Sequence, residues 1–373
     1  MYKSLRIRNF RGFHELVLDD LAQINLFAGK NNSGKTALLE ALLLLQGVSP
    51  REVIASLRRV ERQQRWIERP GTERIRSWLS VEEVGEEIPL LFHQMDLDKT
   101  IEITGQTPRS VKRSLRITVL KEWSKEELKE TLARLPRFVG DPEDFLGQPI
   151  DRIFLFDYQE GDQNYKSLII ISKERSIAVE GGPSPLDVAY RGARILFLTP
   201  KIIGDYGNLE KAGEAGVVLQ LLRFIEPRIE RLVTIYDDRR NEPMLYGALR
   251  DLQYRVPLYV MGDGMIRLVD LAIRLGNARN GILLIDEFEN GLHWSILPTV
   301  WEALGETARR LNVQVFATTH SYECIKSAHE AFSKRDYYDF RLYRLEEVEG
   351  NIQAVAYDRE TLGIALEARL EVR

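Results

Sequence analysis

Residues 29 to 36 read Gly29-Lys30-Asn31-Asn32-Ser33-Gly34-Lys35-Thr36, a G-x-x-x-x-G-K-T run between an apolar stretch ending at Ala28 and a leucine-rich one, Ala37 to Leu45. A strand before such a run and a helix after it form the context in which it holds phosphate. Glycines let backbone N–H groups curl around an anion, and the N-terminus of the following helix adds its positive dipole. In that setting Lys35 reaches the outer phosphates of a nucleotide, and the Thr36 hydroxyl is a ligand for Mg2+.

Two later stretches belong with it. Gly281-Ile282-Leu283-Leu284-Ile285-Asp286-Glu287 is a continuous apolar strand that delivers two carboxylates. Ligands of an open α/β sheet sit at the carboxyl ends of its strands, which places these acids beside the phosphate loop. Asp286 is suited to hold Mg2+ through water, and Glu287 to orient or deprotonate an attacking water. Phe316-Ala317-Thr318-Thr319-His320-Ser321 is another strand with a polar end, where His320 can contact the terminal phosphate and report its presence.

Around these motifs, residues 3 to 28 alternate in two short strand-like runs, and Thr36 to Gly47 carries leucines on every face, as a helix buried on most sides does. Strands are predicted at Thr100 to Thr104, Ser114 to Lys121, Ile153 to Phe156 and Ser167 to Ser172. With a polar helix from Lys125 to Leu135 and a Gly/Pro/Asp-rich connection from Gly140 to Pro149, they form an antiparallel sheet grafted onto the opening unit. Arg194 to Leu198 reads as a short buried strand, and Leu209 to Ile235 as a long helix broken at Pro227. Helix, strand, helix and strand then follow at Asp263 to Leu275, Ile282 to Ile285, Thr299 to Leu311 and Val313 to Ala317, the alternation of a parallel α/β sheet. The tail offers a hairpin across Glu349-Gly350-Asn351 and a helix to about Ala368.

With 44% hydrophobic and 29% charged residues, the chain has an ordinary globular composition, and at 373 residues it is long enough for two or three folding units. A single cysteine, Cys324, closes no intrachain disulfide, and this fits a reducing, cytoplasmic setting. No apolar run is long enough to span a bilayer, and Lys3, Arg6 and Arg8 stand where a signal peptide needs its apolar region. The formal charge of −4 excludes a chain that is basic all over. It conceals one basic segment, Arg51 to Arg76, where eight arginines face four glutamates. That segment reads equally as a stretch tracking a DNA backbone and as a solvated helical face with i,i+4 ion pairs.

Phosphate loop, apolar strand with Asp286-Glu287, the short loop Asn290-Gly291-Leu292-His293, and a strand ending in His320 together resemble the nucleotide-binding head of the ABC-type P-loop ATPases. The opening LRIRNFRGFHELVLDDLAQINLFAGKNNSGKTALLEAL, with its NFRGF and NNSGKT, resembles the RecF/SMC-like branch, particularly the stand-alone AAA ATPases related to the overcoming-lysogenization-defect (OLD) family. The resemblance covers about residues 1–47 and 255–325. It implies an α/β fold, an ABC-type ATPase head with an antiparallel β-subdomain and an inserted helical lobe. Residues 1–50 and 251–373 would be the two parts of the head and 51–250 the insertion.

The resemblance further implies ATP and Mg2+ as ligands. It places Met261-Gly262-Asp263-Gly264-Met265 at the signature segment that closes over the ATP of a partner subunit. Gly262 stands at the usual serine and Asp263 at the first glycine, where the carboxylate can cap the following helix. Asn290 to His293 takes the D-loop position, Gln94 is the candidate Mg2+-sensing glutamine, and Arg11 approaches the base. Implied partners are a second copy and a separate effector such as a Toprim-type nuclease, because only about 50 residues follow His320. Val179-Glu180-Gly181 and Tyr236-Asp237-Asp238 do not supply that nuclease, since adjacent aspartates share no face of a strand. The family setting points to bacterial anti-phage defence or a DNA-damage-linked system. The alternatives are a RecF-like repair factor clamping DNA and a transporter ATPase subunit; no membrane contact is expected of the first two.

Overall fold

A computed structural model describes residues 1–46, 87–107, 112–134, 149–172, 176–179, 188–191, 200–238 and 241–373. The basic segment 51–76, the expected strand 194–198 and nearly all of the connection 140–149 lie outside them.

The phosphate-loop strand β3 (Ile24–Ala28) is central in a six-stranded sheet. On one side it pairs in parallel with β14 (Gln314–Thr318), which pairs with β13 (Ile282–Ile285), which pairs with β9 (Val188–Arg191). On the other side it pairs in parallel with β15 (Phe340–Val348), and β16 (Asn351–Tyr357) closes the edge antiparallel after a tight turn through Glu349 and Gly350. The strand carrying Asp286 is thus one strand removed from the phosphate loop, and the strand leading to His320 runs between them.

All four residues of β13 are buried because both sheet faces are covered. Leu283 and Ile285 join Leu26, Ala28, Val315 and Ala317 in a core shared with helices α5 (Asp263–Asn277), α6 (Leu297–Arg310) and α7 (Tyr322–Ser333). Ile282 and Leu284 point the other way, with Phe27, Phe316 and Tyr343, whose rings stack in a row across three adjacent strands. This second face meets helix α1 (Lys35–Leu44) and a seven-stranded antiparallel sheet. Leu38 to Leu44 are all buried, as leucines on every face require.

The antiparallel sheet runs β2 (Phe13–Leu18), β1 (Ser4–Phe10), β4 (Ile101–Gln106), β5 (Lys112–Val119), β6 (Ile150–Glu160), β7 (Gln163–Ser172) and β8 (Ser176–Val179). Ile169 and Ile171 of β7 face the shared core, while Leu168 and Ile170 pack under α2 (Lys125–Arg134), so an uninterrupted apolar run is buried on both sides. On the outer face Arg6, Glu15, Arg8, Glu102 and Arg116 form a cross-strand chain of alternating charge.

One long element is corrected. Leu209 to Ile235 is not a helix broken at Pro227 but α3 (Pro200–Lys211), α4 (Gly216–Arg223) and a strand, β10 (Ile229–Asp237). Gly213, with φ 72°, turns the chain between the helices. Beyond Pro227 the β-branched and aromatic run finds a partner in β11 (Glu242–Leu249), which also pairs with β12 (Arg255–Pro257). The stretch 51–250, expected as an insertion, supplies β9 to the parallel sheet, and α3 and α4 pack on α5. Among the described residues no helix is long and apolar enough to cross a membrane.

Candidate active site

The strand order brings the quoted motifs to one edge. Gly29 leaves β3 at φ 151° and Gly34 caps α1 at φ 87°, so the loop folds tightly between strand and helix. A Cβ on Gly29 would stand 2.6 Å from the carbonyl oxygen of Leu345 and overlap Ser33. Only glycine fits there. Lys30, Asn31 and Asn32 are exposed along the loop, whereas Ser33 is buried and its Oγ has no hydrogen-bond partner among the described residues. Leaving such a hydroxyl unsatisfied costs about 1–3 kcal/mol, which a polar ligand seated in the loop would relieve. Lys35 turns its Nζ to the carbonyl oxygens of Gly29 (2.7 Å) and Lys30 (2.8 Å). Burial pulls its pKa below the ordinary lysine range, against the opposing pull of Asp286, Glu287 and Glu289.

Across 250 residues of chain, Thr36 Oγ1 donates to Asp286 Oδ2 at 3.1 Å. The other carboxylate oxygen accepts from Thr318 Oγ1 at 2.6 Å, and the same hydroxyl accepts from the backbone N–H of Glu287 at 2.8 Å. Thr318 therefore locks both acids to the end of the intervening strand. Hydroxyl and carboxylate oxygens are the hard donors that Mg2+ prefers, and Thr36 and Asp286 fit it as a pair.

Over residues 24–325 the chain matches the family described as "AAA domain, putative AbiEii toxin, Type IV TA system". The chain belongs to this AAA-domain family. It is 25% identical over 368 residues, 90% of each chain, to an ATP/GTP phosphatase of Helicobacter pylori (strain ATCC 700392 / 26695). It is also 36% identical over 112 residues, 28% of this chain and 98% of the other, to an uncharacterised protein of Methanocaldococcus jannaschii. Among solved structures, the Smc head bound to the C-winged helix domain of ScpA aligns over 98% of this chain and 99% of the other, with 11% identity and a TM-score of 0.49. The SMC head domain from Thermotoga maritima covers 96% and 99%, with 12% identity and a TM-score of 0.42.

In this AAA-domain P-loop ATPase the remaining site residues fall as follows. Glu287 sits at the mouth of the sheet with φ 49°, and its Oε2 accepts from Asn290 Nδ2 at 3.2 Å. Gly262 is exposed at φ 95° and is itself the residue before α5. Asp263 is the first helical residue, so the expectation that its side chain caps the helix is corrected: no side chain caps it. Its charge still faces the helix dipole favourably. Gly264 lies near the loop of Asn290 to His293, where a Cβ would be 3.7 Å from the carbonyl oxygen of Gly291. Gln94 is exposed in a short turn with φ 54°, and among the described residues it makes no hydrogen bond to Thr36 or Asp286. Its neighbour His93 binds the carbonyl of Arg11 instead, and the Arg11 guanidinium pairs with buried Glu40 of α1 at 3.0 Å.

Three residues of this family member were passed over in the sequence. Thr318 has no signal of its own in the sequence, since a threonine at a strand end is ordinary. Glu289, two residues past the paired acids, accepts from Thr319 Oγ1 at 2.8 Å and from the backbone N–H of His320 at 3.1 Å. Arg267 is buried on α5, with Asp263, Asp270 and Glu287 opposing the downward pull of burial on its pKa. The loop of Asn290 to His293 packs against it: Gly291 adopts φ 72°, and a Cβ there would overlap the guanidinium. Gly291→Ala is therefore expected to cost about 1–3 kcal/mol, from left-handed strain plus displacement of Arg267. Denaturant unfolding checks this; a midpoint equal to the parent's would show that the loop and Arg267 are not in contact.

Proposed function

We propose that this protein binds and hydrolyses ATP with Mg2+, and that nucleotide-gated pairing of two copies controls a separate effector. The observation that carries the reading is the Thr36–Asp286 hydrogen bond, which joins the phosphate loop to the acid-bearing strand. The orphaned Ser33 hydroxyl and the glycine-walled loop support a phosphate ligand at that edge. The name of the Helicobacter relative, an ATP/GTP phosphatase, supports hydrolysis of a nucleoside triphosphate.

In this reading Lys35 leaves the loop carbonyls for the outer phosphates, while Thr36 and Asp286 hold the cation. Mg2+ supplies neutralisation of phosphate charge. Glu287 orients the attacking water and takes its proton, and His320 reports the terminal phosphate. Asn290 links Glu287 to the D-loop, and Gly264 against Gly291 links the D-loop to the signature, so a partner seated on the signature acts on Glu287 through contacts already in place. The family description, with its toxin and TA-system wording, is in keeping with a defence setting, and the separate effector is our own extension of it.

Steady-state turnover of ATP and GTP, with Mg2+ or with a chelator, tests the catalytic part: activity is expected only with the metal. Gly264→Trp should keep ATP affinity within about threefold while turnover falls at least about tenfold, since the ring obstructs a partner and not the phosphate loop. Unchanged turnover in that variant would mean that each subunit acts alone. Salt-dependent DNA binding that appears only with ATP and disappears when Arg58, Arg59, Arg62, Arg65 and Arg69 are neutralised would favour a DNA clamp over effector control.

A further inference from the structure

Glu289 has no part in the reading so far, yet it is built into the same edge of the sheet. Its side chain is 12% exposed, and Oε2 accepts the Thr319 hydroxyl. Oε1 accepts the backbone N–H of His320 at 3.1 Å and lies 3.3 Å from the ring Nδ1 of the same residue. Thr319 is fixed in turn, because its N–H donates to the carbonyl of Phe27 and its Oγ1 accepts from the N–H of Ser321. The carboxylate thus holds the backbone of His320 by a hydrogen bond and sets an oxygen close to its ring nitrogen, while the ring remains about half exposed.

An ionised carboxylate only accepts hydrogen bonds, so a ring nitrogen 3.3 Å from it meets it favourably only when that nitrogen carries a proton. With Nδ1 protonated, a neutral ring keeps its lone pair on Nε2. A phosphate oxygen is likewise an acceptor, and it meets Nε2 favourably only if that nitrogen is protonated too. Two acceptor-only partners require a ring bearing both protons.

We propose that Glu289 is a positioning residue that fixes His320 with its Nδ1 proton toward the carboxylate, so that the ring engages the terminal phosphate through Nε2 as an imidazolium. Nucleotide binding then transfers one proton from solvent to Nε2. This rests on the nucleotide site described above, and Glu289 is the charged group that the structure sets against the ring.

The test has two arms. In nucleotide-free protein, nitrogen NMR of the imidazoles, with His320→Asn to assign the signal among five histidines, should show His320 protonated at Nδ1. Glu289→Gln, whose amide can offer an N–H to Nδ1, should release the ring to the Nε2–H form. A wild-type ring already in the Nε2–H form, or an unchanged signal in the variant, overturns the proposal. In the second arm a non-hydrolysable ATP analogue with Mg2+ is titrated calorimetrically at about pH 8, where an ordinary histidine is mainly neutral, in two buffers of different ionisation enthalpy. The wild type should take up close to one proton, and both Glu289→Gln and His320→Asn should take up less than about half of that. Equal uptake in all three proteins assigns the proton elsewhere and overturns the proposal, as does binding without uptake. Failure of the analogue to bind at all counts against the nucleotide reading instead, and the NMR arm then decides the role of Glu289 alone.

Discussion

Replacing Lys35 by alanine removes nucleotide binding, with ATP affinity falling by about two to three orders of magnitude. Nζ spans two carbonyl oxygens of the loop at 2.7 and 2.8 Å, which shows that it reaches across the loop from the first turn of α1. Charge-assisted hydrogen bonds are worth about 1.5–3 kcal/mol each, and two of them to phosphate account for a loss of that size. The fold should survive. Burial pulls the pKa of Lys35 down despite three nearby carboxylates, so its charge is less favourable folded than unfolded. A charged group of that kind works against stability at neutral pH, and its cost fades as pH rises past its lowered pKa. Lys35→Met, which keeps the aliphatic stem, should therefore melt at or above the parental temperature while binding no nucleotide. Equilibrium binding and thermal unfolding read both quantities; ATP affinity within about tenfold of the parent would remove the phosphate-loop assignment.

Glu287→Gln leaves ATP binding intact and lowers kcat by about two to four orders of magnitude, the range expected when a general base is lost. The amide matches the carboxylate in size and can keep the contact with Asn290, and the backbone N–H still bonds to Thr318, so the strand end is undisturbed. Left-handed backbone at a non-glycine residue is costly, and its presence at Glu287 shows that the surrounding strands hold this residue in place. Single-turnover hydrolysis isolates the chemical step. Cleavage at the parental rate would take the general-base role away from Glu287.

The parts legible in the sequence are those where one short segment contains its own explanation. Gly29 to Thr36 states a tight turn, a cation and a hydroxyl in eight residues. Ile282 to Glu287 states a strand buried on both faces and the acids at its end. The run Leu168 to Ile171 was read as a strand, but only the structure shows why it is apolar throughout, with one face on the shared core and the other under α2. The apolar spacing of 229–235 resembles that of the helix 216–223, so the sequence suggests a helix that resumes after Pro227. Their strand state depends on pairing with residues 242–249. Glu289, Thr318 and Arg267 were missed because their roles are defined by partners about 30 residues away in Thr319, His320 and Asp286, or about 24 away at Gly291. No local pattern encodes such pairs. The family match over residues 24–325 takes in the phosphate loop, the acid-bearing strand and everything between them, which the short motifs could not establish by themselves.

We propose that the nucleotide site, assembled from distant parts of the chain, is completed by a second copy. Sedimentation of Glu287→Gln with and without ATP and Mg2+ tests it most directly, with Lys35→Ala alongside. ATP should double the mass of the Glu287→Gln particle, ADP should not, and Lys35→Ala should keep the nucleotide-free mass throughout. A mass indifferent to ATP, in a protein shown to bind it, would contradict the account.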